Sequence, residues 1–205
     1  MHISEGVLAA PVLISGVVLT AGGVAVGLKK MENRKVPTVA LLSSTFFVAS
    51  LIQVPLGPAS VHLTLNGLTG LLLGWMAFPA ILVGLALQAV FFQFGGLTSL
   101  GVNSFNMAFP AVLAYYLSRP LLRSSSRPLI FAASAICGAL AILLSGLLIG
   151  LSLVWTGKPF WEIAQLTVVA HLPVMVVEGM LTGLCVLFLQ KVKPELLGRG
   201  SPGLR

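Results

Sequence analysis

The chain consists of long apolar runs separated by short polar or glycine- and proline-rich breaks. The runs are continuously apolar, which is typical of membrane-embedded helices. Only Phe78-Pro79 separates the third run from the fourth, and both are short, so we expect one or both to be tilted or to span incompletely. The predicted membrane segments, seven in number, cover approximately residues 8–28, 37–54, 63–77, 79–94, 103–121, 128–153 and 163–189.

Two of the breaks are rich in glycine and proline. They cover residues 54–58 and 94–101. Irregular backbone near a membrane is tolerated where it is buried in protein or lines a cavity. The sequence therefore predicts non-helical backbone at both places, set into the bundle.

Composition supports a membrane location. Of the 205 residues, 57% are hydrophobic and 8% are charged, whereas soluble domains carry roughly 25% charged residues. Membrane β-barrels show alternating segments of about ten residues, which this chain lacks. The predicted fold class is an all-α membrane protein, a bundle of about seven transmembrane helices. Cys137 and Cys185 lie inside apolar runs and are interpreted as small hydrophobic residues.

The basic residues predict the orientation of the bundle. Three clusters fall in the loop around residues 29–35, in residues 119–127 and after residue 190. With seven spans all three clusters lie on one side, and only Lys158 lies on the other. By the positive-inside rule, the N-terminus is expected outside and the C-terminus in the cytoplasm. The net charge of +7 is explained in this way and gives no reason to expect nucleic acid as a partner.

The first two residues, Met1-His2, form a candidate metal chelate. A free α-amine, the backbone nitrogen of His2 and its imidazole Nδ1 can bind one divalent ion in two fused rings. These three nitrogens lie in a plane, and one further imidazole completes a square. Planar nitrogen sites suit Ni²⁺, Cu²⁺ or low-spin Co²⁺ and exclude Mg²⁺ and Ca²⁺. The N-terminus lacks a convincing cleavable signal peptide, which would remove the chelate.

His62 is the candidate fourth ligand. Taken alone, a histidine at a helix start is more often a hydrogen-bonded structural residue. The predicted topology, however, brings the loop that carries His62 to the same outer side as Met1-His2. The ligand interpretation of His62 is therefore favoured.

The third histidine, His171, lies on the same helix face as Glu178, two turns away. An ionisable residue inside a membrane is a functional candidate by default. A structural hydrogen bond to a neighbouring helix is the favoured interpretation of this pair, and a functional role stays open. The pair does not form an HExxH zinc-protease motif.

Several polar residues near the predicted site are candidates to support the metal ligands. A metal-bound histidine usually donates its free ring N–H to a neighbouring acceptor. Asn103, at the mouth of the 94–101 loop, is the preferred acceptor for His2, and Asn66 and Ser60 are further candidates. Other polar residues of the central segments, namely Gln88, Gln93, Ser104 and Asn106, divide between this role and interhelical hydrogen bonds.

The missing motifs limit the function classes. The chain has no GxxxxGK[ST] phosphate loop, no GxSxG elbow and no CxxC pair. The sequence therefore indicates neither an ATPase nor a serine hydrolase, and no catalytic constellation points to an enzyme. We expect one transmembrane metal-binding domain over residues 1–190, followed by a short, basic, disordered cytoplasmic tail over 191–205.

Four stretches resemble the CbiM/NikM family, the substrate-binding membrane components of energy-coupling-factor cobalt and nickel importers. Residues 1–6, Met-His-Ile-Ser-Glu-Gly, resemble the family's N-terminal MHI-x-[DE]-G signature. Residues 60–67 resemble its second ligand region and residues 94–107 its central GGxTxLGxNxxxM block. Residues 170–179 resemble its last helix. The four stretches occur in the family's order and span nearly the whole chain.

The resemblance implies a metal site, a transported ion and partners. The ligands would be the Met1 amine, the His2 amide nitrogen and imidazole, and the His62 imidazole. The residues after His62 differ from the His-Pro-Thr-Gly pattern of the cobalt branch, so the choice between Co²⁺ and Ni²⁺ stays open. The expected partners are a transmembrane coupling subunit, cytoplasmic ATPase subunits and a separate small accessory membrane protein. The expected location is a bacterial or archaeal cytoplasmic membrane.

Two other functions compete with metal import. A membrane metal sensor or assembly scaffold would bind metal, or none, without ATP-dependent uptake. A secondary transporter would need a coupling-ion site and usually an inverted repeat, and the sequence contains no convincing repeat. Uptake measured with the coupling proteins present discriminates among them.

Overall fold

The structure, a computed structural model, describes residues 2–56, 59–122, 124 and 126–197. This part of the chain is mostly helical and contains seven α-helices and a two-stranded antiparallel ribbon. The strands are β1, Gln53–Leu56, and β2, Ala59–His62. The helices are α1, Ala10–Lys29; α2, Val36–Ala49; α3, Asn66–Leu73; α4, Ala77–Phe92; α5, Leu100–Leu122; α6, Arg127–Thr156; and α7, Trp161–Val192.

Four stretches of the described chain are long and apolar enough to cross a membrane. They are Ala10–Lys29, Asn66–Phe92, Arg127–Thr156 and Trp161–Val192. The second stretch joins α3 to α4 through a short 3-10 helix, Gly74–Met76. The prediction of an apolar helical membrane bundle is confirmed, whereas the number of spans and the orientation of the termini stay predictions.

The predicted break between the third and fourth segments is wrong by a few residues. We expected it at Phe78-Pro79, but α3 ends at Leu73 and Gly74 adopts a φ of +56°, which a glycine tolerates without steric cost. Pro79 lies in the first turn of α4, where its missing N–H has no intrahelical acceptor anyway. Glycine therefore ends the preceding helix, and proline is accommodated at the start of the next.

The 54–58 break is not simply irregular. Residues 53–56 pair with residues 59–62 in the ribbon, and Gln53 lies opposite His62. The second predicted segment, 37–54, therefore ends too late, because α2 stops at Ala49 and β1 begins at Gln53. The residue before a proline disfavours helical backbone, which is consistent with extended structure before Pro55.

Small residues allow the helices of the bundle to approach closely. A Cβ added to Gly146 would meet the ring of His171, and one added to Gly138 would meet Thr182. These contacts run in opposite directions along α6 and α7, so the two helices form an antiparallel pair. Close approach at small residues is the usual packing mode of membrane helices. These two helices are the longest of the described chain, and the short helix α3 packs beside them.

The last helix is longer than the predicted segment 163–189. α7 continues to Val192, and residues Pro194–Leu197 form a short 3-10 helix. Residues 198–205 lie outside the described part of the chain. The two cysteines, Cys137 and Cys185, are free thiols.

Candidate metal centre

The rings of His2 and His62 lie against each other. Their centroids are 4.3 Å apart, and the ring planes are inclined by 25°. His2 comes from the N-terminal arm, which we define as residues 2–9, and His62 is the last residue of β2. The fold therefore brings together two of the residues that the sequence singled out, although 60 positions separate them.

Both rings are buried, 3% exposed for His2 and 2% for His62. Burial lowers the pKa of His2 to about 4, against a smaller opposing effect of a hydrogen bond with the Gln88 side chain. Burial also lowers the pKa of His62 to about 3. Both imidazoles are thus neutral near pH 7, the form in which a ring nitrogen can bind a metal.

Each ring has a buried nitrogen without a partner. Nε2 of His2 and Nε2 of His62 make no hydrogen bond within the described part of the chain. Nδ1 of His62 faces the carbonyl oxygen of Leu63 at 3.4 Å. Because a buried polar atom normally has a partner, these two nitrogens mark a place where a further group would be stabilised.

Asn103 of α5 holds the N-terminal arm. Its Oδ1 accepts a hydrogen bond from the backbone N–H of Ile3 at 2.9 Å, and its Nδ2 donates to the Ile3 carbonyl at 3.1 Å. Nδ2 also lies 3.1 Å from the Ser99 hydroxyl. We expected Asn103 to contact the His2 ring, whereas the observed contacts are to the backbone of the next residue. The contact fixes where the arm, and hence His2, lies.

The glycine-rich loop 94–101 packs directly on the arm. Gly95 has a φ of +79°, and a Cβ there would lie 2.9 Å from Asn103 Nδ2 and 3.2 Å from His2 Cβ. The backbone N–H of Thr98 donates to the Glu5 carboxylate at 3.3 Å. Phe94 places its ring centroid 6.4 Å from that of His2. A Cβ at the next residue, Gly96, would lie 2.7 Å from Glu5 Cβ. The absence of side chains at Gly95 and Gly96 therefore lets the loop cover the arm.

Glu178 of α7 holds the backbone after His62. Its Oε1 accepts hydrogen bonds from the backbone N–H of Thr64, from the N–H of Leu65 at 2.7 Å and from the Thr64 hydroxyl at 3.2 Å. Glu178 is completely buried. The prediction of a structural hydrogen bond to a neighbouring segment therefore describes Glu178 but does not describe His171. Nδ1 of His171 lies 2.6 Å from the carbonyl oxygen of Thr167 on its own helix.

The other predicted site residues lie further from the two rings or outside the description. Asn66 begins α3, and its Nδ2 donates to the Met107 carbonyl and, at 3.0 Å, to the Ser145 hydroxyl. Asn66 thus joins α3 to α5 and α6. Ser60 pairs with Pro55 in the ribbon, and its side chain lies outside the described part, as does Met1.

The remaining polar residues take the two roles that the sequence left open, which are hydrogen bonding between helices and support of the histidines. Asn106 donates to the Ser152 hydroxyl at 3.1 Å, which joins α5 to α6. Gln88 contacts the Ser50 hydroxyl, and its side chain also raises the pKa of His2. The sequence left Gln88 open between supporting His2 and joining helices, because a glutamine inside an apolar helix gives no indication of its partner.

Side chains alone do not make a metal site here. Within the described residues, no group of three or more His, Cys, Asp or Glu side chains is placed to hold a metal ion. The rings of His2 and His62 are stacked at 4.3 Å, so an ion held by both would need further donors from outside these two side chains.

Known proteins share sequence with nearly the whole chain. A family described as "CbiM: Cobalt uptake substrate-specific transmembrane region" matches residues 2–196. A putative metal transport protein of Haemophilus influenzae is 42% identical over 97% of this chain and 98% of its own length. The fused nickel transport protein NikMN of Rhodobacter capsulatus is 32% identical over 96% of this chain and 64% of its own length.

A solved structure shares the fold. The crystal structure described as that of a transition metal transporter has a TM-score of 0.83 and 29% identity, and the match covers 94% of this chain and 93% of that one. A putative cobalt transport protein CbiM of Methanocorpusculum labreanum is 29% identical over 96% of this chain and 92% of its own length. The chain therefore belongs to the CbiM family, whose relatives are named as cobalt and nickel transport proteins.

Proposed function

We propose that this protein is the substrate-binding membrane component of an ATP-driven energy-coupling-factor importer of Co²⁺ or Ni²⁺. One observation carries the proposal. The buried rings of His2 and His62 lie 4.3 Å apart, and Nε2 of His62, the proposed donor atom, has no hydrogen-bond partner within the described chain. Burying a ring nitrogen without a partner in apolar surroundings costs free energy, and a bound ion would supply the missing partner.

The proposed ligand set has four nitrogens. They are the Met1 amine, the His2 backbone nitrogen, the His2 Nδ1 and one nitrogen of the His62 imidazole. His2 Nδ1 is required because only that ring atom closes a chelate ring through the residue's own amide. In His62, a proton on Nδ1 facing the Leu63 carbonyl leaves the Nε2 lone pair free for the metal.

The geometry of the donors gives the selectivity. A planar set of four nitrogens suits Ni²⁺ and low-spin Co²⁺. Zn²⁺ prefers tetrahedral coordination and is disfavoured by a rigid planar set, and Mg²⁺ and Ca²⁺ prefer oxygen ligands. The ion is the cargo of the protein rather than a resident cofactor.

The proposed topology places the site at the outer face of the cytoplasmic membrane. The basic clusters then lie in the cytoplasm, in agreement with the positive-inside rule. A transmembrane coupling subunit and cytoplasmic ATPase subunits supply the energy, since the sequence has no phosphate-binding loop of its own. A small accessory membrane protein is the further proposed partner.

The first test is a calorimetric titration of the purified protein, with a free N-terminus, with Ni²⁺, Co²⁺ and Zn²⁺. We expect tight 1:1 binding of Ni²⁺ or Co²⁺, weak binding of Zn²⁺, and loss of binding in His2→Ala and His62→Ala. Asn106→Ala is the matched control, because it removes a buried polar side chain that bonds to Ser152 of α6 rather than to the arm or to His62. Binding that persists in both alanine variants would contradict the proposed site.

The second test separates import from sensing. The protein is reconstituted in vesicles with the coupling and ATPase subunits, and uptake of the radioactive ion is followed with and without ATP. We expect uptake that depends on both ATP and His62. Tight binding without ATP-dependent uptake would instead support the sensor or scaffold function.

A further inference from the structure

Glu178 occupies an unusual position for a carboxylate. It lies within the 32-residue helix α7 and is completely buried, yet it bonds to a segment 114 residues earlier in the chain. Within the described residues, its hydrogen-bond donors all belong to Thr64 and Leu65, which follow His62 and Leu63. The carboxylate therefore acts on the short connection between the His62 ring and α3.

The local backbone explains why an acceptor is needed there. The first N–H groups of a helix and the residues before it have no intrahelical acceptor. α3 begins at Asn66, so the N–H groups of Thr64 and Leu65 lie at its start and point at the carboxylate. The positive end of the helix dipole also favours a negative charge at this position.

Leu65 adds a second requirement. Its φ is +53°, in the left-handed region that residues with a Cβ rarely adopt. Such a conformation persists only when the surroundings hold it. The hydrogen bond from the Leu65 N–H to Glu178 at 2.7 Å holds it from one side, and the Thr69 N–H and hydroxyl bond to the Leu65 carbonyl from the other.

Stability alone does not explain this residue. Glu178 Oε2 is buried and makes no hydrogen bond within the described part of the chain. A buried charged group with an unsatisfied oxygen is costly, and a well-packed apolar residue often serves stability equally well. An ionisable group kept inside a membrane bundle at such a cost indicates a functional role.

We propose that Glu178 is a positioning residue for His62. The ribbon holds His62 from the preceding side, where it lies opposite Gln53, and Glu178 fixes the following side through Thr64 and Leu65. Together the two sets of contacts fix the direction of the imidazole toward the N-terminal arm. This inference rests on the proposed function, because it takes His62 to be a metal ligand.

The experiment compares Ni²⁺ binding by the wild-type protein, Glu178→Leu, Glu178→Gln and the control Asn106→Ala, whose side chain bonds to Ser152. Affinity is measured by calorimetry, and the visible absorption band of the bound Ni²⁺ is recorded at saturation. We expect Glu178→Leu to bind about 10- to 100-fold more weakly, the usual effect of removing a group that orients a metal ligand. Glu178→Gln keeps an acceptor oxygen and should show a smaller loss with a shifted absorption band. Asn106→Ala should match the wild type.

Each outcome separates this inference from the proposed function. If His62→Ala abolishes binding while both Glu178 variants bind like the wild type with an unshifted band, Glu178 does not position His62. If His62→Ala binds like the wild type, the proposed function itself fails. Should Glu178→Leu not fold, Glu178→Gln decides, because an unchanged affinity and band in that variant overturn the inference.

Discussion

The two histidines of the candidate metal centre are held by similar devices with different chemistry. In each case a buried polar side chain from a distant helix bonds to the backbone beside the histidine rather than to the ring. For the N-terminal arm the side chain is the neutral amide of Asn103, which bonds to Ile3. For His62 it is the carboxylate of Glu178, which bonds to Thr64 and Leu65.

The difference follows from the backbone that each group meets. The arm is extended at Ile3, so both its N–H and its C=O need partners, and an amide supplies one acceptor and one donor. The segment after His62 starts a helix, where only N–H groups are free, and a carboxyl oxygen accepts hydrogen bonds from them. The type of side chain therefore matches the local structure that it supports.

The largest expected effect on uptake comes from a change at the N-terminus, where the proposed chelate begins. One extra residue placed before Met1 should abolish Ni²⁺ uptake, because the Met1 α-amine becomes an amide and the three-nitrogen chelate that the proposed site shares with His62 can no longer form. The metal-free protein should stay folded, which size-exclusion chromatography checks. Unimpaired uptake by the extended protein would contradict the chelate, and an extension at the C-terminus is the control.

The pH dependence of binding should come from the arm alone. Binding releases one proton from the α-amine, whose ordinary pKa is about 7.7–8.0, and one from the amide, so between pH 5 and 7 the affinity should rise about 100-fold per pH unit. The imidazoles contribute nothing in this range, because burial lowers their pKa to about 4 in His2 and about 3 in His62. Titrations at several pH values measure the slope. A distinctly steeper slope near pH 5–6 would show that the rings are also protonated.

Removing the amide that holds the arm should have the next largest effect. Asn103→Ala deletes both bonds to Ile3, and we expect about 10- to 100-fold weaker Ni²⁺ binding. Asn106→Ala is the matched control on the same helix, since Asn106 bonds to Ser152 away from the arm. It should lower thermal stability without changing the affinity. Equal affinities for the two variants would mean that Asn103 only stabilises the bundle.

The smallest effect concerns the loop that covers the arm. Gly95→Ala places a Cβ close to Asn103 and His2 at a φ of +79°, and the strain of about 1–2 kcal/mol should weaken Ni²⁺ binding about tenfold. Gly22→Ala, where a Cβ would meet nothing within 4 Å, is the control. Calorimetric titration of both variants measures the difference. A wild-type affinity for Gly95→Ala would show that the loop does not restrain the arm.

Much of this fold could be predicted from the sequence because continuous apolar runs are typical of membrane helices. The helix breaks were harder to place, since Pro79 and Gly74 compete to end a helix and only the packed structure decides between them. The meeting of His2 with His62 followed from topology, whereas their role as ligands stays a prediction. The bond from Glu178 to Thr64 could not be predicted, because 114 residues separate them and only the tertiary packing of α7 brings them together.

The burial of the two imidazoles has a consequence for the rate of metal exchange. A hydrated ion cannot reach the rings of His2 and His62, residues that are 3% and 2% exposed, until the N-terminal arm moves away from the glycine-rich loop. Under the proposed function, the apparent association rate would scale with the fraction of time that the arm is open. Release would require the same motion. Turnover of the proposed importer would then be set by a partner that moves the arm rather than by the strength of the metal–nitrogen bonds.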